Sequence, residues 1–176
     1  MRRTYSLCAL LGIILFSLHR ELLAQASKND EPAMEAKVLV GYQGWFRCPG
    51  DGSSGKAWSH WSRGNPSPDT ISVELFPATG ELDQRSLCPV PGMTVGGEQV
   101  NLFSSFPAET IEKHFQWMRT YQIDGALIQR FINSIPQQRE EDDGVLKNVR
   151  ASAQTTGRVF AVEYDLSGAH SETVFQ

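Results

Sequence analysis

Residues 122–131, QIDGALIQRF, carry the chain out of one predicted element and into the next. Residues 122–125 have the composition of a turn, and residues 126–131 form an apolar run of strand length that ends in polar side chains. Upstream, Pro107 stands where a helix can begin, and Ile111, Phe115 and Met118 recur at helical spacing. A helix followed at once by a short buried strand predicts part of a parallel α/β sheet.

The same pattern returns further along the chain. The acidic run at residues 140–143 stands ahead of a predicted helix, where the helix dipole is sufficient to explain negative charge. Apolar residues at helical spacing follow, Gly157 ends the helix, and a strand at 159–162 leads into Glu163-Tyr164-Asp165. The helix residues are Val145, Leu146, Val149 and Ala153.

Two further strands are predicted nearer the amino terminus. Residues 38–42, VLVGY, form a buried-type strand, and residues 70–76 alternate apolar and polar side chains. A long loop is then expected to about Phe106. The predicted fold class is α/β, of the (β/α)8 TIM-barrel type, with about four parallel strands. A closed barrel needs on the order of 250 residues, so this 176-residue chain is expected to be a truncated amino-terminal part.

Residues 1–26 have the organisation of a secretory signal peptide. A positive start is followed by an apolar segment at 7–18 that is too short to span a bilayer, and Ala24-Gln25-Ala26 matches a cleavage site. An uncleaved amino-terminal anchor is the alternative. We expect a secreted or periplasmic protein with a flexible leader at 27–36 and a partial barrel domain at 37–176, and with no contact with the membrane after cleavage.

Charge and cysteine content limit the partners and cofactors. Cleavage after residue 26 leaves a net charge of about −6, which does not attract nucleic acid. Cys48 and Cys88 are then the remaining cysteines, and they either form a disulfide or stay as two free thiols. No metal is predicted, because neither the histidines nor the loop at 51–55 has ligand spacing. No cofactor is predicted.

Aromatic and polar residues are concentrated after the first strand. Tyr42, Gln43 and Trp45 follow that strand, and His60 and Trp61 lie in the next loop. Flat rings stack on the C–H faces of sugars, while amide and imidazole groups bond their hydroxyls. These five residues are predicted substrate contacts, and the alternative is that the tryptophans only pack across the barrel mouth.

Polar residues also end the third and fourth predicted strands. Glu163 and Asp165 are two apart, so they share a strand face and could act as a glycosidase acid/base pair. Arg130 is predicted to bind substrate or to orient a carboxylate. The alternative is that a carboxylate pairs with Arg130 or Arg158 and only closes the barrel.

In order along residues 37–168, several segments resemble secreted bacterial TIM-barrel proteins similar to glycoside hydrolase family ninety-nine, which includes endo-α-mannosidases and endo-α-mannanases. Bacterial proteins labelled xylosidase/arabinosidase show a closer likeness. The segments are VLVGYQGWF (38–46), GDG (50–52), WSHW (58–61), IDGA (123–126) and VEYD (162–165). The resemblance covers only the amino-terminal half of such a barrel.

The resemblance implies where the catalytic carboxylates lie. In the mannosidase family they lie just past strand four, in a Glu-Pro-Tyr context with a second Glu three residues away. The matching region here is 163–168, which keeps a Glu beside a Tyr but has neither the Pro nor the second Glu. We therefore expect a secreted glycoside hydrolase acting on a polysaccharide or glycan. The alternative is a barrel fragment that binds glycan without cleaving it.

Overall fold

The structure, a computed structural model, describes residues 34–169. The predicted signal peptide and most of the predicted leader lie outside these residues. The fold is mixed α/β, with a three-stranded parallel sheet and a two-stranded antiparallel sheet. Its elements are β1 (Leu39–Tyr42), β2 (Leu87–Val95), β3 (Glu98–Phe103), α1 (Ala108–Thr120), β4 (Gly125–Phe131), α2 (Ile135–Thr156) and β5 (Val159–Asp165), with short 3-10 helices at Gln84–Ser86 and Ile132–Ser134.

The parallel sheet has the strand order β1-β4-β5. Partners in register share a face, so Tyr42, Ile128 and Val162 point to the same side. Both helices pack on that side, because their apolar residues join those of the strands in one buried cluster. The cluster contains Tyr42, Ile111, Phe115, Met118, Ala126, Ile128, Val145, Val149 and Ala153.

The other face of the sheet is apolar at its amino-terminal side and polar at the carboxyl ends of its strands. Leu39, Leu127 and Ala161 are half-buried at its amino-terminal side. Gln129 and Glu163 follow at the carboxyl ends of the strands. Within residues 34–169 the sheet stays open, with β1 and β5 at its edges. Of the four predicted parallel strands, three are present in the described part of the chain.

The prediction of a strand at 70–76 is wrong. Ile71 makes only an isolated bridge to Ser62, because the hydroxyl of Thr70 bonds to Asn65 and Ser67 and holds the chain in a turn. The prediction of a long loop up to residue 106 is also wrong, since this segment contains the β2–β3 hairpin.

Two prolines obscured the hairpin, although a glycine pair marks its turn. Pro89 and Pro91 are unfavourable in a central strand, yet both strands of a two-stranded sheet are edges, where proline is tolerated. The turn is formed by Gly96 and Gly97 at φ 62° and 87°, which is the glycine pair that favours a tight hairpin.

Helix α2 begins earlier than predicted. Its first residue is Ile135, with a proline in the first turn, so the acidic run at 140–143 lies in the body of the helix. The helix dipole acts mainly on the first turn, and it therefore does not explain these four acidic residues. The predicted end is confirmed, since Gly157 caps the helix at φ 67°.

A second buried cluster joins the hairpin to the loop after β1. It contains Trp61, Val90, Met93, Val100 and Leu102, with Phe46, Trp58 and Phe103 packed against it. Cys48 and Cys88 form a disulfide with their Cα atoms 6.4 Å apart. Of the two alternatives for the cysteines, the structure therefore has the bonded one. The described helices include none that is both long and apolar enough to cross a membrane.

Candidate functional site

A cavity of about 310 Å³ lies at the carboxyl ends of the parallel strands. This is the edge at which sites gather in parallel α/β folds. We call it the inner cavity, and its wall includes Trp45, His60, Gln129, Arg130, Phe131 and Asp142. Three of the predicted site residues, Trp45, His60 and Arg130, therefore meet here.

Aromatic rings form one wall of the inner cavity. The Trp45 ring packs against both His60 and Phe131, with centroid distances of 5.3 and 5.1 Å and interplanar angles of 34° and 32°. Close packing fixes the path of the backbone just before Trp45. A Cβ on the preceding residue, Gly44, would come within 2.8 Å of Val145 in α2. The chain thus passes tightly against α2 and places a half-exposed indole at the cavity.

His60 has an unusual backbone and a neutral ring. Its φ is 64°, a left-handed conformation that histidine adopts more readily than most residues. Desolvation by its neighbours lowers its pKa, and the positive charge of Arg47 acts in the same direction. At neutral pH the imidazole can therefore both donate and accept a hydrogen bond.

Arg130 is bound to α2. Its Nη2 lies 3.1 Å from a carboxylate oxygen of Asp143 and donates to the carbonyl oxygen of Asp142 at 2.6 Å. Arg158 donates to the carbonyl of Ile123. Neither arginine pairs with Glu163 or Asp165 among the described residues, so the ion pair of the alternative interpretation is not formed there. Arg130 instead positions the turn of α2 that carries Asp142.

Asp165 is held as a carboxylate at the end of β5. Its Oδ1 accepts from the backbone N–H of Ser167 at 2.7 Å, and its Oδ2 accepts from the amide of Gln129 at 2.6 Å. Hydrogen bonding from Ser167 lowers its pKa, with a smaller contribution from Gln129. Both of these partners line the inner cavity. Glu163 lies on the same face of the sheet and is exposed.

Asp142 is the functional candidate that the sequence reasoning missed. It lines the inner cavity from α2 and is half-buried. Burial raises its pKa, although the charges of Arg130 and Arg47 oppose that shift. Asp165 does not itself line the cavity, but its partners Gln129 and Ser167 do. The two carboxyl groups have pKa values moved in opposite directions, which is the arrangement that separates an acid from a base.

Tyr42 and Trp61 do not belong to the cavity, which corrects their predicted role as substrate contacts. Tyr42 is 8% exposed in the first core, and its hydroxyl shares a 2.9 Å hydrogen bond with Nδ1 of His114. Trp61 is 4% exposed in the second core and donates to the carbonyl of Phe103 at 2.7 Å. Gln43 is exposed at the end of β1 and does not line the inner cavity.

The Tyr42–His114 pair predicts acid-sensitive stability. Burial lowers the pKa of His114 from 6.5 to about 4, so between these values the unfolded chain binds a proton that the folded chain does not. Stability should therefore fall by about 3 kcal/mol as the pH drops from 6.5 to 4. Urea unfolding across this range measures the loss. His114→Gln keeps a polar group facing Tyr42. In this variant the loss of stability between pH 6.5 and pH 4 should be smaller by about 3 kcal/mol than in the wild type, and an equal loss would contradict the assignment.

Within residues 34–169, no three His, Cys, Asp or Glu side chains are grouped so as to hold a metal ion. Comparison of the sequence with models of known protein families gave no match, and comparison with curated proteins gave none either.

Proposed function

We propose that the chain is a secreted, carbohydrate-active protein of the (β/α) barrel type that hydrolyses glycosidic bonds. The observation that carries the proposal is the inner cavity, which is lined by aromatic rings and by the carboxyl group of Asp142. Its lining residues Gln129 and Ser167 bind a second carboxyl group, that of Asp165, whose pKa is shifted in the opposite direction. Rings for sugar faces and a paired acid and base are the two requirements of glycoside hydrolysis.

The barrel assignment is supported by the way the sheet is wound. Both helices pack on one face of the sheet, and each successive parallel strand lies next to the previous one. A doubly wound sheet has helices on both faces, whereas a barrel has them only outside. The face with Leu127 and Ala161 would then point into the barrel.

In the proposed reaction Asp142 is the general acid. Its raised pKa keeps the carboxyl protonated to a higher pH than an ordinary aspartate, so it can give its proton to the oxygen of the leaving sugar. Asp165 is ionised and serves as the base that takes a proton from water, or as the nucleophile that bonds the anomeric carbon. Glu163, two residues earlier on the same face, is the second carboxylate that β5 offers.

The remaining residues of the cavity position the sugar. Trp45 supplies the stacking surface, and His60 and Gln129 offer hydrogen bonds to hydroxyl groups. Arg130 holds the segment around Asp142 through its bonds to α2.

Binding without cleavage is the second candidate function. One observation favours it: both oxygens of Asp165 already accept hydrogen bonds, and the bond from Ser167 closes a local turn. A carboxylate used in this way can be purely structural, and the aromatic wall would then suffice for a glycan-binding protein.

Trp45→Ala tests the saccharide site that both functions share. The wild-type protein should bind at least one of mannan, xylan or arabinan, and the variant should lose about tenfold or more in affinity because the stacking surface is gone. Affinity gel electrophoresis measures the binding. Trp117→Ala, which removes a half-buried indole from α1 outside the inner cavity, is the matched control and should bind like the wild type. Equal binding by Trp45→Ala would remove the basis of the proposal.

A further inference from the structure

A cavity of about 420 Å³ lies beside the end of helix α1 and shares no lining residue with the inner cavity. We call it the α1 cavity. Its volume is within the range of roughly 300–1,000 Å³ that is usual for small-molecule sites. The proposed glycoside hydrolysis gives it no role. Its wall includes Pro77, Glu81, Leu82, Phe103, Trp117 and Tyr121.

Three aromatic rings line the α1 cavity. Phe103 is the last residue of β3, and Trp117 lies in the last turn of α1. The backbone N–H of Tyr121 donates to the carbonyl oxygen of Trp117 at 2.8 Å, so these two residues are one helical turn apart and lie on the same side of α1. The rings of Phe103 and Trp117 also pack against His114, with centroid distances of 5.2 and 5.5 Å. Packing therefore holds two of the rings in place, whereas Tyr121 is 71% exposed.

The α1 cavity has a negative charge beside these rings. Among the described residues that line it, Glu81 is the only one with a charged side chain. Its Oε2 accepts from Nε1 of Trp117 at 3.2 Å, which places the carboxylate next to the indole.

The adjoining surface is acidic as well. A neighbouring cavity is lined by four carboxylates, those of Glu81, Asp83, Glu109 and Glu112. Two cationic side chains pair with them, Lys113 with Glu81 at 3.9 Å and Arg85 with Asp83 at 2.7 Å, so negative charge is left in excess. A field of this sign favours a cationic ligand.

The available hydrogen-bonding groups decide which kind of cation fits. A primary ammonium carries three N–H donors that need acceptors, whereas the lining side chains offer one phenol and one carboxylate that already accepts from Trp117. A quaternary ammonium has no N–H group and is attracted directly to ring faces. A neutral sugar is a poorer match, because its many hydroxyl groups need several polar partners.

From these observations we infer that the α1 cavity binds a quaternary ammonium compound of the choline type, with its trimethylammonium group against the aromatic rings and beside the carboxylate of Glu81. The site is separate from the saccharide site and does not depend on hydrolysis. A compound without an anionic group is favoured, because Glu81 and the neighbouring carboxylates repel an attached phosphate or carboxylate.

Isothermal titration calorimetry of the wild-type protein with three probes tests the inference. The probes are choline, the neutral isostere dimethylbutanol, in which a carbon replaces the nitrogen, and phosphocholine, which represents a lipid headgroup. Choline and its isostere have nearly the same shape, so their difference in affinity measures the attraction of the positive charge. Choline should bind about tenfold or more tightly than dimethylbutanol, and also more tightly than phosphocholine.

Two substitutions at exposed positions test the geometry with little risk to folding. Tyr121→Ala removes a ring and should weaken choline binding about threefold or more. Glu81→Gln removes the charge and should weaken choline binding by a similar factor, but leave dimethylbutanol binding unchanged. The matched controls are Tyr164→Ala and Glu98→Gln, which change an exposed ring and an exposed carboxylate outside the α1 cavity. Both controls should bind choline as the wild type does.

Four results would overturn the inference: no choline binding by the wild type, equal affinity for choline and dimethylbutanol, tighter binding of phosphocholine than of choline, or unchanged choline binding in either Tyr121→Ala or Glu81→Gln. None of these results concerns the inner cavity. The proposed function is decided separately, by the binding of polysaccharide to the wild type and to Trp45→Ala.

Discussion

Asp142→Asn should lower the rate of glycoside hydrolysis by about 10²–10⁴-fold, which is the usual contribution of a general acid. The amide keeps the size of the side chain but carries no proton that it can give to a leaving oxygen. Release of reducing sugar from the polysaccharide that the wild type cleaves is the measurement. Asp165→Asn should show a loss of similar size, because an amide serves neither as base nor as nucleophile. Glu140→Gln is the matched control, since Glu140 is exposed on the same helix and does not line the inner cavity.

The pH dependence of the rate gives an independent view of the same two groups. The proposed reaction requires Asp165 ionised and Asp142 protonated, so the rate should fall as the pH drops through the lowered pKa of Asp165 and as it rises through the raised pKa of Asp142. The expected profile is a bell on the acidic side of neutrality.

Binding measurements distinguish glycoside hydrolysis from glycan binding without cleavage. Both asparagine variants should still bind the polysaccharide, since the wall formed by Trp45 is intact. Full activity in Asp142→Asn would reject the acid assignment. A wild-type protein that binds glycan and releases no reducing ends would be the glycan-binding alternative.

Removal of the disulfide should give the largest change in stability. Cys48 and Cys88 are 40 residues apart, and closing a loop of that length stabilises the folded state by about 4 kcal/mol in the chain-entropy model. The double variant Cys48→Ala/Cys88→Ala should lose this amount, a large share of the 5–15 kcal/mol that is typical of a folded domain. Urea unfolding under oxidising conditions measures the loss.

Reduction of the wild type provides the control for the cysteine variants. Dithiothreitol should lower the stability of the wild type to that of the double variant and leave the variant unchanged. Equal stability of oxidised and reduced wild type would show that the bond does not hold the loop after β1 to the hairpin.

Local patterns predicted the parallel sheet and its helices well. The run at 126–131 and the helical spacing of Ile111, Phe115 and Met118 each predicted an element that the structure contains. These elements follow from the periodicity of buried side chains, and that information is local. The end of α2 was likewise predicted from a single local residue, Gly157.

The errors have long-range causes. The acidic run at 140–143 looked like the start of a helix, whereas the helix begins at Ile135 and carries the run in its body. There Glu141 accepts from Ser54, Asp143 pairs with Arg130, and Asp142 lines the inner cavity. Asp142 therefore gained its environment from residues far away in sequence. Trp61 was placed in the substrate set because an aromatic ring in the loop after a strand suits stacking on a sugar, whereas the β2–β3 hairpin, which the sequence analysis missed, packs against it.

The packing of Trp45 against His60 and Phe131 also has a thermodynamic consequence. An indole that is already immobilised by its neighbours loses little rotational freedom when a ligand arrives, so less of the interaction energy is consumed in ordering the receptor. The proposed stacking surface would thus be preorganised, and more of the free energy of stacking on a sugar would appear in the affinity.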